Sequence, residues 1–325
     1  MLKPIWELRN LKEAATRSEF YQFMNVALKD LLFKAYKEAR STYEQLVTFE
    51  DSLKDKEGYP SIGALSLPTK VLSGEAFSER QIGKKDYVEI TNFKYGEIIA
   101  ITRELLDDDQ TKEIKRQPLD LGNAHKKFED KTVYSILNGN ATGYDSQAIF
   151  SLNHPGVVGG GAIAANDNLY TNVTLTANAL ATVLGIIAGW TGATNEDILD
   201  VTALDVVVPQ NLKQTGIMLT QSNVIAAAYA AGVLGPAASI GAAKNPLRDH
   251  NLNVIASARL DKTSTTDWYV KTDFPGLVFQ WRDRLELMRE NEASGVAFER
   301  EVYRWKSRVR FGLKMINWRW GMKVS

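Results

Sequence analysis

An aspartate, a serine and a histidine lie within a short stretch of this chain, at Asp145, Ser146 and His154. Side chains of these types can serve as an acid, a nucleophile and a general base in hydrolysis. No Gly-x-Ser-x-Gly nucleophile turn, His-Glu-x-x-His metal motif, Walker A loop or dinucleotide fingerprint accompanies them. A hydrolase that uses His154 is therefore a distant alternative, and we predict no enzyme and no catalytic residue.

The other histidines and the glycine run give no stronger chemical signal. His125 falls on the apolar side of a predicted helix, so we expect a packed or interface residue rather than a general base; the third histidine is His250. The glycines at 159–161 are not followed by a helical pattern, and so make a poor phosphate cradle. We predict no cofactor-binding residue and no cofactor.

Three adjacent carboxylates, Asp107, Asp108 and Asp109, could attract Mg²⁺ or Ca²⁺. Oxygen cages for these ions need ligands that converge from several directions, which three consecutive residues do not supply. Negative charge before a helix start, or a solvated turn, is the more common use of such a triplet. We predict no metal site.

The composition excludes several classes of protein. The 325 residues can bury a sizeable core, either as two average domains or as one elaborated domain. With 39 basic and 39 acidic residues, no net field steers the chain toward DNA or an anionic membrane, and near-neutral chains associate more readily. The absence of cysteine removes disulfides, thiolate catalysis and Cys-based zinc sites.

Two long uncharged stretches, 214–243 and 168–195, are the candidates for a membrane span. Both are diluted by Asn, Thr, Gln, Gly or Pro, whereas a spanning helix needs about 20 predominantly apolar residues. The first residues of the chain lack the apolar run of a secretion signal. We therefore expect no membrane contact.

Helical spacing of apolar residues predicts two long helices. The first runs from Thr16 to about Phe49 and the second from Pro118 to Leu137, with a stop at Asn138-Gly139. The predicted apolar stripe of the first contains Phe20, Met24, Leu28, Leu31, Leu32, Ala35 and Tyr36. That of the second contains Leu121, Ala124, His125, Phe128, Thr132 and Ile136.

Strand-like patterns occur in several segments outside the two predicted helices. We predict strands at 87–106, 204–208 and 252–260. Between the helices and strands, residues 51–85 show no period and are too long for an ordinary connector.

The C-terminal region shows the cleanest pattern of the chain. From Tyr303 to Leu313, apolar or small residues alternate with basic ones, and a similar alternation continues from Ile316 to Lys323. Period-two alternation predicts strands with one buried and one solvated face. We expect the basic face to pair with Glu286, Glu290, Glu292, Glu299 and Glu301; non-specific contact with nucleic acid is the alternative.

Four segments together resemble the major head subunits of Mu-like tailed phages. Residues 144–155 are similar to a Tyr-Asp-Gly-Gln-like turn that leads through Phe to His-Pro, although Ser146 stands where that family often has glycine. The others are a strand with its acidic triplet at 101–110, a strand at 204–212 and the Arg-Val-Arg-Phe-Gly at 308–312. The order of the four segments supports the resemblance more than any one of them.

The resemblance implies an α+β Hong Kong 97-like phage capsid fold. Its parts would be an N-terminal arm at 1–50, an extended E-loop at 51–95, a peripheral domain with its spine helix at 96–174, an axial domain at 175–262 and return strands of the peripheral domain at 263–325. The E-loop would be a two-stranded arm that lies over the next subunit.

The resemblance also implies a function. The protein would be a major capsid protein whose homo-hexamers and homo-pentamers form the icosahedral head shell, a structural part of the virion assembled in the bacterial cytoplasm. Implied partners are other copies, a portal, a separate scaffold, and non-specific contact with packaged double-stranded DNA, with room for a decoration protein. An encapsulin-like nanocompartment shell is the alternative.

Overall fold

A computed structural model describes residues 17–61, 86–102, 104, 113–154, 167–191, 198–225, 243–290 and 302–325. Predictions made for Thr16, for the acidic triplet at 107–109 and for the glycine run at 159–161 lie outside these residues. So do the side chains of Phe20 and Met24 in the first predicted stripe.

The described residues form five α-helices and four short 3₁₀ helices. The α-helices are α1 (Arg17–Glu38), α2 (Glu113–Gly139), α3 (Ala177–Ala188), α4 (Lys213–Gln221) and α5 (Ala258–Asp261). The 3₁₀ helices are Tyr43–Gln45, Gln210–Leu212, Pro246–His250 and Trp318–Trp320.

The described strands belong to four sheets. The strands are β1 (Thr48–Asp51), β2 (Lys56–Ser61), β3 (Asp86–Thr91), β4 (Phe93–Tyr95), β5 (Ile98–Thr102), β6 (Leu169–Tyr170), β7 (Ala203–Pro209), β8 (Val224–Ile225), β9 (Ala243–Lys244), β10 (Asn253–Ser257), β11 (Trp268–Thr272), β12 (Leu277–Arg289), β13 (Val302–Met315) and β14 (Gly321–Val324). One five-stranded sheet has the order β1-β12-β13-β4, with β5 also on β13, and the other has the order β10-β7-β11-β14-β6. The pairs β2-β3 and β8-β9 form the two small sheets.

The chain divides into two compact units. The first contains Met1–Ser41, Phe93–Asp130 and Asp283–Phe311, and the second contains Thr42–Asn92, Lys131–Arg282 and Gly312–Ser325. The domain boundaries predicted from sequence stay predictions.

In the first unit, α1 packs against α2 through small residues. Leu28, Leu32 and Ala35 of α1 are buried, as the helical spacing predicts. A Cβ on Gly122 of α2 would lie only 2.4 Å from the carbonyl oxygen of Leu32, so the two helix backbones approach closely at this point.

The core of the second unit lies between its five-stranded sheet and α3. Val206 and Val208 of β7, Trp268 and Val270 of β11 and Met322 of β14 are fully buried in this core. Thr176 caps α3 by accepting the N–H of Ala179 on its side-chain oxygen at 3.2 Å, and α3 then buries Leu180, Val183, Leu184 and Ile187. Full burial of side chains of this size contributes about 1.5–3 kcal/mol each, so this packing stabilises the unit.

The first predicted helix is too long, because tertiary packing takes over its C-terminal third. α1 ends at Glu38, and Phe49 lies in β1, which pairs in parallel with β12. The ring of Tyr43 stacks on that of Phe279 at 5.7 Å between centroids. Strand pairing and aromatic contacts therefore outweigh the helical spacing of residues 39–49.

The second predicted helix begins too late. α2 begins at Glu113, so Pro118 lies inside the helix rather than in its first turn. The predicted stop at Gly139 is confirmed, and Asn140 follows with a positive φ of 41°. The predicted stripe is partly wrong, because Ala124 is exposed and Phe128 is 37% exposed, while the polar residues Lys126, Glu129 and Asp130 are buried.

Two predicted strands are shorter than their patterns. The strand at 87–106 is three strands, β3, β4 and β5, which break at the buried Asn92 and at the turn of Gly96. The strand at 252–260 ends at Ser257, whose hydroxyl accepts the N–H of Arg259 and starts α5. A local side-chain cap thus ends the strand despite the continuing alternation.

The long C-terminal strand is confirmed, and the second alternating segment is confirmed only in its last part. In β13, Trp305, Ser307, Val309 and Phe311 are buried, as the alternation predicts. Trp318 and Trp320 are also buried but belong to a 3₁₀ turn, because the Asn317 side chain accepts the N–H of Arg319.

Candidate functional site

The signature segment at 144–155 begins with a closed turn in the second unit. Asn140 brackets the turn: its side-chain amide donates to the carbonyl of Phe150 at 3.0 Å and accepts the N–H of Phe150 at 2.6 Å. Gly143 N–H donates to the carbonyl of Gln147 at 2.7 Å. Ser146, at the tip, has a positive φ of 64°. A left-handed residue explains why glycine suits this position in similar sequences.

His154 is fully buried at the end of this segment. Its Nδ1 lies 2.5 Å from Asp145 Oδ2 and its Nε2 lies 2.9 Å from Asn168 Oδ1. Its ring stacks on the indole of Trp318 with centroids 4.5 Å apart and planes 8° from parallel. Asp145 and His154, which lie close together in the sequence, are thus in direct contact, whereas Ser146 lies at the tip of the turn that follows Asp145.

Asn168 connects this histidine to two other parts of the second unit. Its amide nitrogen donates to the carbonyls of Ile149, Trp318 and Gly321 at 2.8, 3.0 and 3.2 Å. Its amide oxygen accepts the backbone N–H of Ser151 at 2.8 Å. These partners fix the orientation of the amide, so Nε2–H of His154 must donate to the remaining lone pair of the oxygen.

Both ring nitrogens of His154 thus have hydrogen-bond partners, Asp145 at Nδ1 and Asn168 at Nε2. Asp145 also accepts the N–H of Gln147 on its other oxygen, at 3.2 Å. Every polar atom of the buried pair therefore has a partner, as buried polar groups require.

A second layer of aromatic and cationic groups encloses the cluster. The Arg319 guanidinium lies 4.4 Å from the centroid of the Trp318 ring, and Trp190 meets that ring edge-on at 5.1 Å. Burial lowers the pKa of Arg319, and the nearby Tyr144 and Asp145 oppose this effect. Burial also raises the pKa of Tyr144, while Arg319 opposes the rise.

This geometry supports a structural role for the signature segment. Because His154 has no exposed surface and both its ring nitrogens are in hydrogen bonds, it cannot accept a proton from an external substrate. The geometry therefore argues against the hydrolase alternative. Sequence reasoning missed Asn168, because nothing distinguishes it from the neighbouring Asn166 and Asp167 and two of its partners lie about 150 positions away.

His125 is packed inside the first unit. Its Nε2 lies 2.9 Å from the hydroxyl oxygen of Ser307, which also accepts the backbone N–H of Glu97 at 3.0 Å. Burial lowers the pKa of His125, and the charge of Glu97 partly opposes this effect. The hydroxyl is thus a junction between α2, β13 and the turn before β5.

A buried carboxylate shares the same face of α2. Glu129 is 1% exposed and accepts the hydroxyl proton of Tyr36, whose oxygen is 2.8 Å from each carboxylate oxygen. The Lys126 ammonium lies 5.1 Å from the centre of the Tyr36 ring. Helical periodicity of apolar residues gave no signal for these polar contacts between α1 and α2.

The basic face of β13 is partly neutralised by acidic partners. Arg308 Nη2 lies 2.7 Å from Asp283 Oδ2, and Arg310 Nε lies 3.8 Å from the same oxygen. Arg304 Nε lies 3.9 Å from Glu290 Oε2. The predicted pairing is confirmed for Glu290, but the carboxylate of Asp283, which sequence reasoning missed, holds two arginines. Glu292, Glu299 and Glu301 lie outside the described residues.

The strands β2 and β3 form a two-stranded sheet that contacts the rest of the second unit. They pair in antiparallel register from Lys56 opposite Thr91 to Ser61 opposite Asp86. The hydroxyl of Tyr59 donates to the side chain of the buried Gln280 at 2.8 Å. Burial, together with Glu50 and Glu57, raises the pKa of Tyr59 to about 12. The strands on either side of residues 62–85 are thus anchored in the second unit.

Within the described residues, no group of three or more His, Asp or Glu side chains is placed to hold a metal ion. None of the helices in the same part of the chain has the length and hydropathy of a bilayer-crossing segment.

A model of the family described as phage capsid protein matches residues 87–324. The chain belongs to the phage capsid protein family. The match begins within β3 and includes the His154 cluster and both long C-terminal strands. A search of curated protein sequences finds no match.

Solved capsid structures have the fold of this phage capsid protein. A chain from the capsid of cyanophage P-SCSP1u is similar with a TM-score of 0.59 and 12% identity, over 88% of each chain. A chain from the procapsid of bacteriophage JBD30 is similar with a TM-score of 0.50 and 16% identity, over 95% of this chain and 75% of that one. The predicted α+β Hong Kong 97-like capsid fold is confirmed.

The fold alone does not separate a phage head from other shells. A chain of the virus-like particle from Pyrococcus furiosus is similar with a TM-score of 0.50 and 11% identity, over 92% of this chain and 98% of that one. The phage capsid family match therefore carries the assignment of this protein, and the shared fold is consistent with it.

Proposed function

We propose that this protein is the major subunit of a tailed-phage head, and that its hexamers and pentamers close an icosahedral shell around double-stranded DNA. The observation that carries the proposal is the phage capsid family match across residues 87–324. The buried His154 cluster fits this role, because it fixes a fold and offers no reactive group to a solute.

Exposed apolar residues of the first unit would supply part of the subunit contacts. Val26 and Phe33 of α1 are 57% and 40% exposed, and Phe93 and Ile98 of β4 and β5 are 58% and 53% exposed. Burial of apolar area contributes about 25 cal/mol per Å², so several modest contacts repeated around a ring would stabilise a capsomer. Shell subunits need such surfaces rather than a catalytic centre.

The segment at 51–95 would be the E-loop, with β2 and β3 as its base. A two-stranded hairpin is only marginally stable by itself, so an arm of this kind gains stability from a covering partner. The contact between Tyr59 and Gln280 would hold the base while residues beyond Ser61 reach a neighbouring subunit.

The pairing register of β2 and β3 shows which residues of this arm can be deleted while both strands are kept. Because Ser61 lies opposite Asp86, residues 62–85 can be replaced by Asn-Gly, a two-residue turn that closes antiparallel strands. We expect a folded subunit that fails to close shells in electron micrographs. A matched control replaces residues 62–85 by a Gly/Ser segment of the same length. Normal particles from the shortened protein would contradict the E-loop assignment.

Further partners follow from the same proposal. The head would contain a portal and would assemble on a separate scaffold protein in the bacterial cytoplasm, with room for a decoration protein on the finished virion. Non-specific contact with packaged DNA would be salt-dependent, since phosphate contacts release counterions.

A shell that encloses a cargo enzyme is the second candidate, favoured by the likeness to the virus-like particle of Pyrococcus furiosus. Electron microscopy of the purified protein tests both candidates, since each predicts capsomers or closed shells. A protein that stays monomeric at high concentration in every salt condition would contradict both. Portal and terminase genes beside the gene for this chain would then favour the phage head, and a co-purifying enzyme would favour the compartment.

A further inference from the structure

A cleft of about 310 Å³ lies in the first unit between β13 and the turn that joins β4 to β5. Three cationic side chains line it, Lys94, Lys306 and Arg308, with Glu97 as the lining carboxylate. The cleft therefore combines a concave shape with an excess of positive charge.

Two of these cations have no acidic partner among the described residues. Lys94 and Lys306 are exposed, and within the described part of the chain no carboxylate oxygen lies within 4 Å of either ammonium. Nη2 of Arg308 lies 2.7 Å from Asp283 Oδ2, and the guanidinium has further N–H groups that can donate to another acceptor. Among the described residues, the ionic partners of β13 thus leave the charges of Lys94 and Lys306 at the cleft without a carboxylate partner.

The register places Lys94 beside another cation. Lys94 of β4 lies directly opposite Arg310 of β13, whose Nε lies 3.8 Å from Asp283 Oδ2. Lys94 thus adds a positive charge to a strand pair whose nearby carboxylate already contacts two arginines.

The turn that forms the rim of the cleft is already ordered. Ser307 N–H donates to the carbonyl of Glu97 at 2.8 Å, and Glu97 N–H donates to the Ser307 hydroxyl at 3.0 Å. A Cβ on Gly96 would lie 2.2 Å from the carbonyl oxygen of Ser307, so the turn lies flat against β13. A preformed rim lowers the entropic cost of binding a ligand.

We propose that this cleft binds backbone phosphates of nucleic acid, with Lys94 and Lys306 as its principal cations. The proposal rests on the proposed shell function, which brings DNA to one face of the subunit. Alternate residues of β13 recur about every 6.8 Å, which equals the axial rise of two nucleotides in one strand. Successive basic residues of β13 therefore match every second phosphate of one strand, without any base contact.

The test measures the binding of the full chain to a fluorescently labelled duplex DNA of arbitrary sequence, over a range of salt concentrations. Lys94→Gln with Lys306→Gln removes the two unmatched charges. Lys213→Gln with Lys262→Gln is the control, because these lysines are also exposed and the change in net charge is the same.

We expect the cleft variant to reduce the slope of log affinity against log salt by about 2, since each phosphate contact contributes about 0.9. At about 0.1 M salt this corresponds to binding weaker by a factor on the order of 10 to 100. We expect the control variant to bind as the unaltered protein does.

Three results would overturn the proposal. They are no DNA binding by the unaltered protein at low salt, equal losses in both variants, and unchanged DNA binding with failed shell assembly in the cleft variant. The last result would identify carboxylates of a second copy as the occupant. Shells formed by the unaltered protein are scored separately by electron microscopy, so a failure of this proposal is distinguishable from a failure of the shell function.

Discussion

Nε2 of His125 lies 2.9 Å from the hydroxyl oxygen of Ser307, although the two residues are 182 positions apart in the sequence. The contact joins α2 to β13 inside the first unit and places a titratable ring where its surroundings disfavour charge. His125 is 6% exposed, so protonation of the ring brings a charge into a mostly dry site.

The stability of the protein should therefore fall in mild acid through His125. Because burial lowers the pKa of His125 below its ordinary value of 6.5, the folded state binds this proton less well than the unfolded state does. The contribution is fully present above pH 6.5 and is lost as the pH falls from 6.5 through the lowered folded pKa.

Urea denaturation of the purified subunit at about pH 7.5 and about pH 5.5 checks this prediction. His125→Gln keeps a neutral polar group beside Ser307 and should show a smaller loss of midpoint on acidification than the unaltered protein. His250→Gln provides the control, because it makes the same substitution at an exposed position outside this buried site. An equal pH dependence in all three proteins would refute the role of His125.

Asn168→Asp should strongly destabilise the second unit. The substitution replaces an amide that donates to three carbonyls by an oxygen that faces those carbonyls. Loss of several buried hydrogen bonds together with repulsion should cost about 3–5 kcal/mol of unfolding free energy. Chemical denaturation gives the value directly.

Asn211→Asp is the matched control for that substitution, because Asn211 is exposed and its amide nitrogen makes one hydrogen bond, to the Thr265 carbonyl. We expect a change below about 1 kcal/mol there. Similar losses at the two positions would mean that the buried network around Asn168 adds little to stability.

Two substitutions of Ser146 should change the free energy of unfolding in opposite directions. Its φ of 64° is left-handed, so Ser146→Gly should raise the free energy of unfolding by about 0.5–1 kcal/mol. Ser146→Val introduces a β-branched side chain and should lower it by about 1–2 kcal/mol. Thermal unfolding of the two variants side by side measures both effects, and a stabilising valine would show that the turn does not hold this backbone conformation.

Two glycines should respond in opposite ways to alanine. In Gly96→Ala the new Cβ would lie 2.2 Å from a backbone oxygen of β13, so we expect a loss of about 2–4 kcal/mol. Gly185 lies exposed within α3 with nothing within 4 Å of an added Cβ, so Gly185→Ala should stabilise by up to about 1 kcal/mol. Calorimetry ranks the pair, and the reverse order would contradict the flat packing of the β4–β5 turn on β13.

Sequence reasoning succeeded where one period governs a long element. The alternation in β13 predicted the buried Trp305 and Phe311. From residue 304 to residue 311, one face of that strand is buried and the other face is half-buried or exposed. It failed where a local polar contact overrides the period, as at Ser257, which starts α5, and at Asn317, which turns the chain before Trp318. Such caps depend on geometry that periodicity does not report.

The sequence predicted some members of the buried polar sites but not their partners. Asp145 and His154 lie nine positions apart and could be noticed together, but nothing local identifies Asn168 or Trp318 as their partners. Glu129 was missed for a related reason, since its partner Tyr36 comes from another helix. Contacts between distant segments are set by the tertiary fold, so a single sequence gives no spacing from which to infer them.

The position of β14 inside its sheet has a consequence for synthesis. β14 lies between β11 and β6, and its pairing through Val324 comes after every other strand of that sheet in the chain. The sheet is therefore completed only after residues 321–324 have left the ribosome. Until this late strand inserts between β11 and β6, the second unit stays open there, so a neighbouring copy meets its finished surface only after the insertion.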